Sequence, residues 1–349
     1  MDKRILAIFD GEEDYAYRLM DFISEKEKIP FEIHVFTKQD KFYSYAEVEE
    51  IECLLISENA YQPKIETLKI PHIIILSENG GNLNRALCHI NKYQSCDNVL
   101  KEVMAYYAGQ TKVPAGIMRT GSRKLQIIGI YTPVTRCLQT TFTFTLGQIL
   151  ARQHKTLYLN FEAYSGLSGM LGRKFPGSIA DLAYYFSCDR DKFFYRLESM
   201  VESVGGLDFV PPAEIYRSLF DIRGSQWIDL FAEIEKVSEY EYLLLDLSDC
   251  MMDLWEVLKN CDVVYTIVRD EPISQAKIEQ YEKALESMKY GEITAKTQKW
   301  KLPAFKRLPL RFEELTYGEL AEYIKSRVIP TLYGQGNEGE NQTASKRNY

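Results

Sequence analysis

Short apolar runs alternate with helical stretches along most of the chain, and this alternation most restricts the folds that the sequence can form. Parallel strands joined by crossover helices give such a pattern, because helices bury each strand on both faces. The predicted strands of the first series are 5–9, 31–36, 53–56, 73–76 and 90–93. Five strands with intervening helices indicate a parallel, flavodoxin-like sheet.

A second series of the same kind begins at residue 125. Its predicted strands are 126–131, 156–161, 207–210, 242–247 and 262–268. Helical stretches are predicted at 140–152, 178–185, 192–204, 225–237, 251–259, 274–288 and 313–328. The sequence therefore predicts an α/β protein with two three-layer α/β/α domains, the second also built on a mainly parallel sheet.

Two segments with a different composition set the predicted boundaries. Residues 109–124 are rich in glycine, proline and polar residues, which is typical of a linker. Residues from 334 onward have few apolar side chains and are predicted to be disordered. We therefore predict a first domain at 1–108, a linker at 109–124, a second domain at 125–333 and a disordered tail at 334–349.

The composition, with 46% hydrophobic and 26% charged residues, is that of a globular protein that does not cross a membrane. The longest apolar runs are too short to span a bilayer, and no secretory segment follows Met1. The seven cysteines have no CxxC spacing, which predicts reduced thiols rather than disulfides or a zinc site. We expect a cytoplasmic location and no direct insertion into a membrane.

The formal net charge of −8 argues against a dedicated nucleic-acid-binding protein. A local basic stretch at 289–311 is the exception. Its cations are Lys289, Lys296, Lys299, Lys301, Lys306, Arg307 and Arg311. A solvated basic connection is the favoured interpretation, and a surface for anionic lipid or DNA is the alternative.

Residues 127–141 have the layout of a strand, a turn and a helix that bind phosphate. A buried strand at 127–131 is followed by eight turn residues, and a helix begins near Thr140 and Thr141. In a P-loop, backbone N–H groups of a glycine-rich turn and the positive end of the helix hold phosphate oxygens. A lysine adds a point charge, and a Ser or Thr hydroxyl binds Mg²⁺.

Two further strands end in polar residues at the positions where such folds contact a nucleotide. Asn160 and Glu162 lie at the end of the strand predicted at 156–161. Asp246 directly follows the apolar run 242–245, which has the form of a Walker B strand.

On these motifs, residues 125 to about 328 resemble the MinD/ParA class of deviant-Walker ATPases. The class has glycines at three positions that hold other residues here: Thr135, Arg136 and Leu138. Its P-loop lysine corresponds to Gln139, and its additional signature lysine corresponds to Val134. Its Asp-x-Asp pair appears as Asn160 and Glu162, whereas Asp246 matches the Walker B aspartate.

These replacements predict a degenerate nucleotide site. A charged hydrogen bond contributes about 1.5–3 kcal/mol, so a missing lysine weakens binding by about 10- to 150-fold. A residue other than glycine in a left-handed conformation costs about 1–2 kcal/mol more. The lost lysines and the first lost acid would otherwise stabilise the transition state. We therefore predict that the chain is not an enzyme and has no cofactor.

Residual binding of ATP with Mg²⁺ is the alternative, and the resemblance assigns the residues that would take part. The degenerate nucleotide-binding residues are Thr135, Arg136, Cys137, Leu138, Gln139, Thr140, Thr141, Asn160, Glu162 and Asp246. Thr140 and Asp246 would hold Mg²⁺ if a nucleotide binds, and we expect no other metal site. Cys137 is expected to be structural, with a reactive thiol at the helix N-terminus as the alternative.

The first domain resembles a response-regulator receiver domain. Receivers carry acids after the first strand, a phosphoacceptor aspartate after the third, a Ser or Thr after the fourth and a lysine after the fifth. The matching positions form a predicted pseudo-receiver pocket of Asp10, Ser57, Ser77 and Lys92. Ser57 stands at the acceptor position and Glu58 is out of register, so we expect no phosphorylation.

A receiver-like domain followed by a MinD/ParA-like domain resembles the TadZ/CpaE family, which localises Tad/Flp-type pilus assembly systems. This resemblance implies a catalytically degenerate localisation or scaffold factor for a pilus or secretion assembly. It implies protein partners, a homodimer and recruitment through those partners to a pole or to membrane-bound machinery. The alternatives are a nucleotide-binding ATPase switch with an unorthodox P-loop and a DNA-associated regulator that uses residues 289–311.

Overall fold

Both predicted series of strands form sheets in the computed structural model, which describes residues 4–25, 29, 31–78, 87–110 and 124–333. Within these residues the first sheet has five strands and the second has seven. The described chain divides into two units. The first comprises residues up to 110 together with 185–200, and the second comprises 124–184 and 201–333.

The sheet of the first unit is parallel throughout. Its strands are β1 (Arg4–Phe9), β2 (Phe31–Phe36), β3 (Ile51–Ser57), β4 (His72–Ser77) and β5 (Cys88–Asn91). Their order is β2–β1–β3–β4–β5, which is the flavodoxin-like arrangement that the sequence predicts. Each predicted strand is present, with ends that differ by one or two residues.

Both faces of this sheet are covered, since β4 is buried at every residue and β3 at every residue except Glu52. The helices before residue 110 are α1 (Glu13–Ser24), α2 (Gln39–Ala46) and α3 (Cys96–Gly109). On one face, the ring of Phe42 in α2 stacks on Phe9 of β1 with 4.8 Å between centroids. A short 3₁₀ helix, Pro63–Thr67, adds buried Ile65 to the same cluster.

The sheet of the second unit is parallel except at one edge. Its strands are β6 (Gln126–Ile130), β7 (Thr156–Asn160), β8 (Glu202–Val204), β9 (Leu207–Val210), β10 (Tyr242–Asp246), β11 (Val263–Val268) and β12 (Thr297–Lys301). Their order is β12–β11–β6–β10–β7–β9–β8, and β8 runs antiparallel to β9. The two strands that the sequence analysis does not predict, β8 and β12, are the edge strands, which have few apolar residues to mark them.

The remaining helices follow in chain order. They are α4 (Gln139–Leu150), α5 (Leu167–Leu171), α6 (Ile179–Cys188), α7 (Phe193–Met200), α8 (Arg217–Phe220), α9 (Gly224–Val237), α10 (Leu254–Asn260), α11 (Pro272–Ser287), α12 (Gly291–Ala295) and α13 (Glu319–Tyr323). In the second unit, α4 packs Phe142 and Phe144 into the core on one face of the sheet. Trp227 of α9 packs edge-on against Phe161, 5.0 Å between centroids. These contacts produce the α/β architecture expected from the alternation of strands and helices.

The division into units differs from the predicted boundaries at residues 185–200. The sequence analysis assigns them to the second domain, whereas in the structure they belong to the first unit because α7 packs on α3. Most of the predicted linker and the whole predicted tail lie outside the described residues. Among the described residues, no helix combines the length and apolar character that crossing a membrane requires.

Candidate functional site

The carboxyl ends of β6, β10 and β7 meet at one edge of the second sheet, because these neighbouring strands are parallel. Asp246 ends β10 and lies opposite Ile130 of β6 on one side and Asn160 of β7 on the other. β6 continues through the loop at 131–138 into α4, which begins at Gln139. The sheet therefore brings together residues that are far apart in the sequence and that the motif analysis predicts to share a site.

The Asp246 carboxylate is fully buried and accepts hydrogen bonds from side chains on three sides. Its Oδ1 accepts from Nε2 of Gln139 at 2.7 Å. Its Oδ2 accepts from the Tyr158 hydroxyl at 2.9 Å and from Nδ2 of Asn160 at 3.0 Å. Burial raises the pKa of Asp246, while hydrogen bonds from Gln139, Thr140 and Tyr158 act to lower it. Each of these donors is a neutral group.

Gln139 lies at the position that the resemblance to the MinD/ParA class assigns to a lysine. Its side chain is buried, and the same Nε2 also donates to the carbonyl of Leu247 at 2.9 Å. A third oxygen, Oε1 of Glu162, lies 3.4 Å away. The amide thus fills the space between the start of α4 and the end of β10, and it is held there by the residues that it contacts.

The loop before α4 has a left-handed backbone at two of the three positions to which the resemblance assigns glycine. The φ angles are 59° at Arg136 and 66° at Leu138. The Thr132 hydroxyl fixes the start of the loop, since it donates to the carbonyl of Ile267 at 2.8 Å. The Thr135 and Arg136 side chains are exposed. The loop therefore has a backbone suited to glycine while its outer surface is formed by side chains.

Cys137 is a packed, structural residue in this loop. Its thiol is buried and donates to the carbonyl of Val134 at 3.1 Å. Burial raises the pKa of the Cys137 thiol to about 11, although backbone hydrogen bonds and Arg269 act to lower it. The geometry thus favours the structural role expected for this cysteine over a reactive thiolate.

The two threonines that begin α4 take different positions. The Thr140 hydroxyl is hydrogen-bonded to Asp246, which places the predicted Mg²⁺ pair side by side. The carbonyl of Thr141 accepts from the Thr145 hydroxyl at 2.6 Å, one turn along the helix. Among the described residues, no group of three or more His, Cys, Asp or Glu side chains is arranged to hold a metal ion.

Glu162 lies half-buried beyond the end of β7. Its backbone N–H donates to Oδ1 of Asn160 at 3.0 Å, so the two residues that the resemblance aligns with the Asp-x-Asp pair contact each other. Burial raises the pKa of Glu162 to about 7, and the charges of Asp246 and Asp249 add to the effect. Asp249 itself accepts from the Tyr131 hydroxyl at 2.6 Å. The edge of the sheet therefore carries a cluster of acids.

The four residues of the predicted pseudo-receiver pocket lie at the carboxyl ends of β1, β3, β4 and β5 and are all buried: Asp10, Ser57, Ser77 and Lys92. The Lys92 ammonium lies 2.7 Å from Oδ2 of Asp10. The Ser77 hydroxyl donates to the carbonyl of Ile90 at 3.5 Å.

A second carboxylate and an aromatic ring complete the surroundings of Lys92. Oε1 of Glu12 lies 3.1 Å from its ammonium, and the ring of Tyr15 lies 4.8 Å away. Burial acts to lower the pKa of Lys92, but the hydrogen bonds to Asp10 and Glu12 outweigh burial and raise it. Lys92 is therefore charged and neutralised inside the first unit.

The basic stretch at 289–311 is partly paired within the second unit. Lys296 is half-buried and donates to the carbonyls of Lys259 and Cys261. Lys299 forms an ion pair with Glu282 at 2.6 Å, and Lys301 forms one with Asp270. Three cations of the stretch, Lys296, Lys299 and Lys301, are therefore paired within the second unit.

The sequence analysis misses Tyr158 and Tyr15, and it does not predict that Glu12, an acid near Asp10, contacts Lys92. Tyr158 and Asn160 are two residues apart in a strand, which places both side chains on the face that carries Asp246. This two-residue spacing is the signal that identifies Tyr158. Glu12 and Tyr15 follow β1 in a loop and a helix, where the pattern of apolar residues does not indicate that they reach Lys92.

Neither a protein-family model nor a curated protein sequence matches this chain. Among solved structures, the MinD cell division protein of Aquifex aeolicus is similar, with 17% identity and a TM-score of 0.39 over 50% of this chain and 68% of that one. A ParA family ATPase from Chlorobium tepidum TLS has 15% identity and a TM-score of 0.44 over 56% and 80%. A putative plasmid partition protein from Borrelia burgdorferi B31, bound to AMPPNP, has 14% identity and a TM-score of 0.39 over 58% and 84%.

Proposed function

We propose that this chain is a catalytically degenerate MinD/ParA-like protein that binds protein partners rather than hydrolysing a nucleotide. In this proposal it localises or scaffolds a Tad/Flp-type pilus or secretion assembly, as the resemblance to the TadZ/CpaE family implies. It acts in the cytoplasm and reaches a pole or membrane-bound machinery through its partners.

One observation supports the proposal that the chain does not hydrolyse a nucleotide. Gln139 donates to Asp246 at the position where the MinD/ParA class has a lysine. Phosphoryl transfer needs cationic groups or Mg²⁺ beside the phosphate oxygens to stabilise developing charge. Here the Asp246 oxygens are already hydrogen-bonded to Gln139, Tyr158 and Asn160. A metal ion at Asp246 would have to displace these buried donors, and each would lose a hydrogen bond in a site without solvent.

Three exposed apolar side chains follow strands of this sheet at their carboxyl ends. Tyr164 follows β7 and is 83% exposed, Ile215 follows β9 and is 64% exposed, and Ile273 follows β11 and is 69% exposed. Contiguous apolar patches on a surface are typical of interaction sites, so these side chains are the ones to test for a protein contact. We propose that this edge forms a homodimer contact that rests on packing and needs no ATP.

Isothermal titration with ATP and Mg²⁺, together with a phosphate-release assay, tests whether the chain binds and hydrolyses ATP. We expect no heat of binding at micromolar protein and no phosphate release above the rate without protein. Asp246→Ala is the matched variant, and we expect it to give the same result as the unmodified protein. Micromolar binding that Asp246→Ala abolishes would overturn the proposal and support the nucleotide-binding ATPase switch.

Light scattering of the nucleotide-free protein tests the contact surface. We expect a dimer that Tyr164→Asp and Ile215→Asp each convert to a monomer. Val48→Asp is the control, because Val48 is 80% exposed and belongs to the first unit. A monomer at all concentrations, or a dimer that both variants leave intact, would contradict the proposed homodimer.

A further inference from the structure

Residues 185–200 have an unusual connection to the rest of the chain. They belong to the first unit, but residues of the second unit precede and follow them directly. The first unit is therefore joined to the second at three points of the chain: within 111–123, before residue 185 and after residue 200. Cutting the chain once, within 111–123, would leave α7 attached to the second unit while its packing surface stayed with α3.

Two contacts dock α7 on the last turns of α3. The rings of Tyr195 and Tyr107 stack, with 5.7 Å between centroids and 18° between planes. Tyr107 in turn packs against His72 of β4 at 4.9 Å, so the stack extends to the sheet of the first unit. The Arg196 guanidinium donates to the carbonyl of Ala108 at 3.2 Å. This carbonyl belongs to the last turn of α3, where carbonyl groups lack partners within the helix and a cation is favourable.

The helix α7 itself has the properties of a docked segment. It is eight residues long, and an isolated helix of this length is not stable in water. Its buried residues are Phe193, Phe194, Tyr195 and Leu197, which leave little of its circumference to solvent. Arg196 is additionally fixed by the ring of Tyr185, 4.0 Å from its guanidinium carbon. The helical form of α7 therefore depends on the surface on which it packs.

We propose that the surface of α3 around Tyr107 and Ala108 is a docking site whose ligand is residues 185–200 of this chain, and that this contact holds residues 1–110 to the rest of the protein without the covalent connection at 111–123. The contact acts as a strap formed by residues 185–200, which belong to the first unit. It does not depend on the nucleotide chemistry or the pilus role proposed above.

A cleavable form of the full chain tests the strap. Residues 113–118 are replaced by a protease recognition sequence, the purified protein is cut, and the fragments are passed over a size-exclusion column at about 1 μM. We expect the two fragments of the unmodified protein to elute together. After cleavage of Tyr195→Ala, we expect the dissociation constant of the fragments to rise at least about a hundredfold, because a large buried ring is removed. Tyr195→Phe retains the ring and should keep the fragments together.

Two further variants keep the test decisive. Arg196→Met does not open the core, and we expect it to raise the dissociation constant by about 10- to 150-fold through loss of a charged hydrogen bond. Tyr317→Ala is the control outside the strap, because Tyr317 is 79% exposed in the second unit, and it should have no effect. The proposal fails if the unmodified fragments separate on cleavage, or if Tyr195→Ala and Arg196→Met bind as tightly as the unmodified pair.

Discussion

Each unit buries an aspartate at the carboxyl edge of its sheet, and the two aspartates are compensated in different ways. Asp10 pairs with the ammonium of Lys92 at 2.7 Å, whereas Asp246 is surrounded by neutral donors from Gln139, Tyr158 and Asn160. A buried ion pair cancels charge, but a set of amide and hydroxyl donors spreads one charge over several dipoles.

This difference indicates what each site can still do. In the first site, Lys92 and Asp10 neutralise each other. An anion would have to compete with Asp10 for Lys92, and a metal ion would have to compete with Lys92 for Asp10. In the second site, Gln139 contributes an uncharged amide at the position that the resemblance to the MinD/ParA class assigns to a lysine. We propose that such a site does not supply the charge that phosphate chemistry needs.

The largest effect that the comparison predicts is for Lys92→Met. Methionine fills similar space but leaves the Asp10 carboxylate buried beside Glu12 without its counter-ion. We expect the free energy of unfolding of the first unit to fall by about 3–5 kcal/mol, as is typical when one partner of a buried pair is removed. Urea titration followed by circular dichroism measures this loss.

The control for Lys92→Met is Arg4→Met, which removes a half-exposed ion pair with Glu52 at 2.9 Å in the same unit. We expect it to cost less than about 1 kcal/mol. Equal effects of the two substitutions would mean that the Lys92 pair is not desolvated, and the contrast between the two aspartates would then be lost.

A smaller effect is expected for Gln139→Ala in the second unit. The substitution removes one neutral donor from Asp246 and one from the carbonyl of Leu247, while Tyr158 and Asn160 continue to donate. We expect a loss of about 1–3 kcal/mol, the usual cost of leaving a buried acceptor without its partner. Urea unfolding measures it, with Gln280→Ala as an exposed glutamine control in α11. If Gln139→Ala lowered the free energy of unfolding as much as Lys92→Met does, Tyr158 and Asn160 would not compensate for the lost donor. The expected contrast between the two aspartates would then be wrong.

The pH dependence of stability sharpens the comparison further, through Glu162. Its pKa is about 7 in the folded chain and near 4.5 when unfolded, so the folded state holds the proton more tightly. Its contribution is therefore fully present below about pH 4.5 and is lost as pH rises through 7. The full shift corresponds to about 3 kcal/mol, and solvent screening of a half-buried group reduces our expectation to about 1–2 kcal/mol.

Glu162→Gln tests this dependence by urea unfolding at pH 5 and pH 8. The variant should be more stable than the unmodified protein at pH 8 and should lose less stability between the two pH values. Glu286→Gln, at an exposed position of α11, should leave the pH dependence unchanged. The assignment to Glu162 would be wrong if the two variants had the same pH profile.

The sheets could be predicted from the sequence because buried parallel strands are continuous apolar runs, as in 242–245 and 73–76. Edge strands lack this signal: β12 reads TQKWK and was interpreted as part of a basic connection. Motif spacing could predict that Gln139, Asn160 and Asp246 lie close together. The hydrogen bond from Gln139 to Asp246 could not be predicted, because it depends on how the start of α4 meets the end of a strand more than 100 residues away.

The membership of α7 in the first unit could not be predicted either. Its aromatic residues indicate burial, but a pattern of apolar residues does not say which surface buries them. Tyr195 stacks on Tyr107, which lies 88 residues earlier in the chain (195 − 107 = 88). This contact crosses a predicted domain boundary. Non-local packing of this kind is specified by shape and not by local sequence.

The smallest expected effect concerns the loop that joins β6 to α4. Arg136 has a φ of 59°, a left-handed conformation that costs a residue other than glycine about 1–2 kcal/mol. Because its side chain is exposed, Arg136→Gly should lose little contact and should stabilise the second unit by about 0.5–1 kcal/mol after the greater entropy of glycine in the unfolded chain is subtracted. Thermal unfolding measures the gain.

Thr135→Gly is the matched control, since Thr135 is exposed and has a negative φ, and it should destabilise by a similar amount. If Arg136→Gly stabilises the unit and Thr135→Gly destabilises it, Arg136 holds a backbone conformation that glycine would adopt at a lower cost. If both substitutions destabilise the unit, the Arg136 side chain stabilises the loop, and the prediction is wrong.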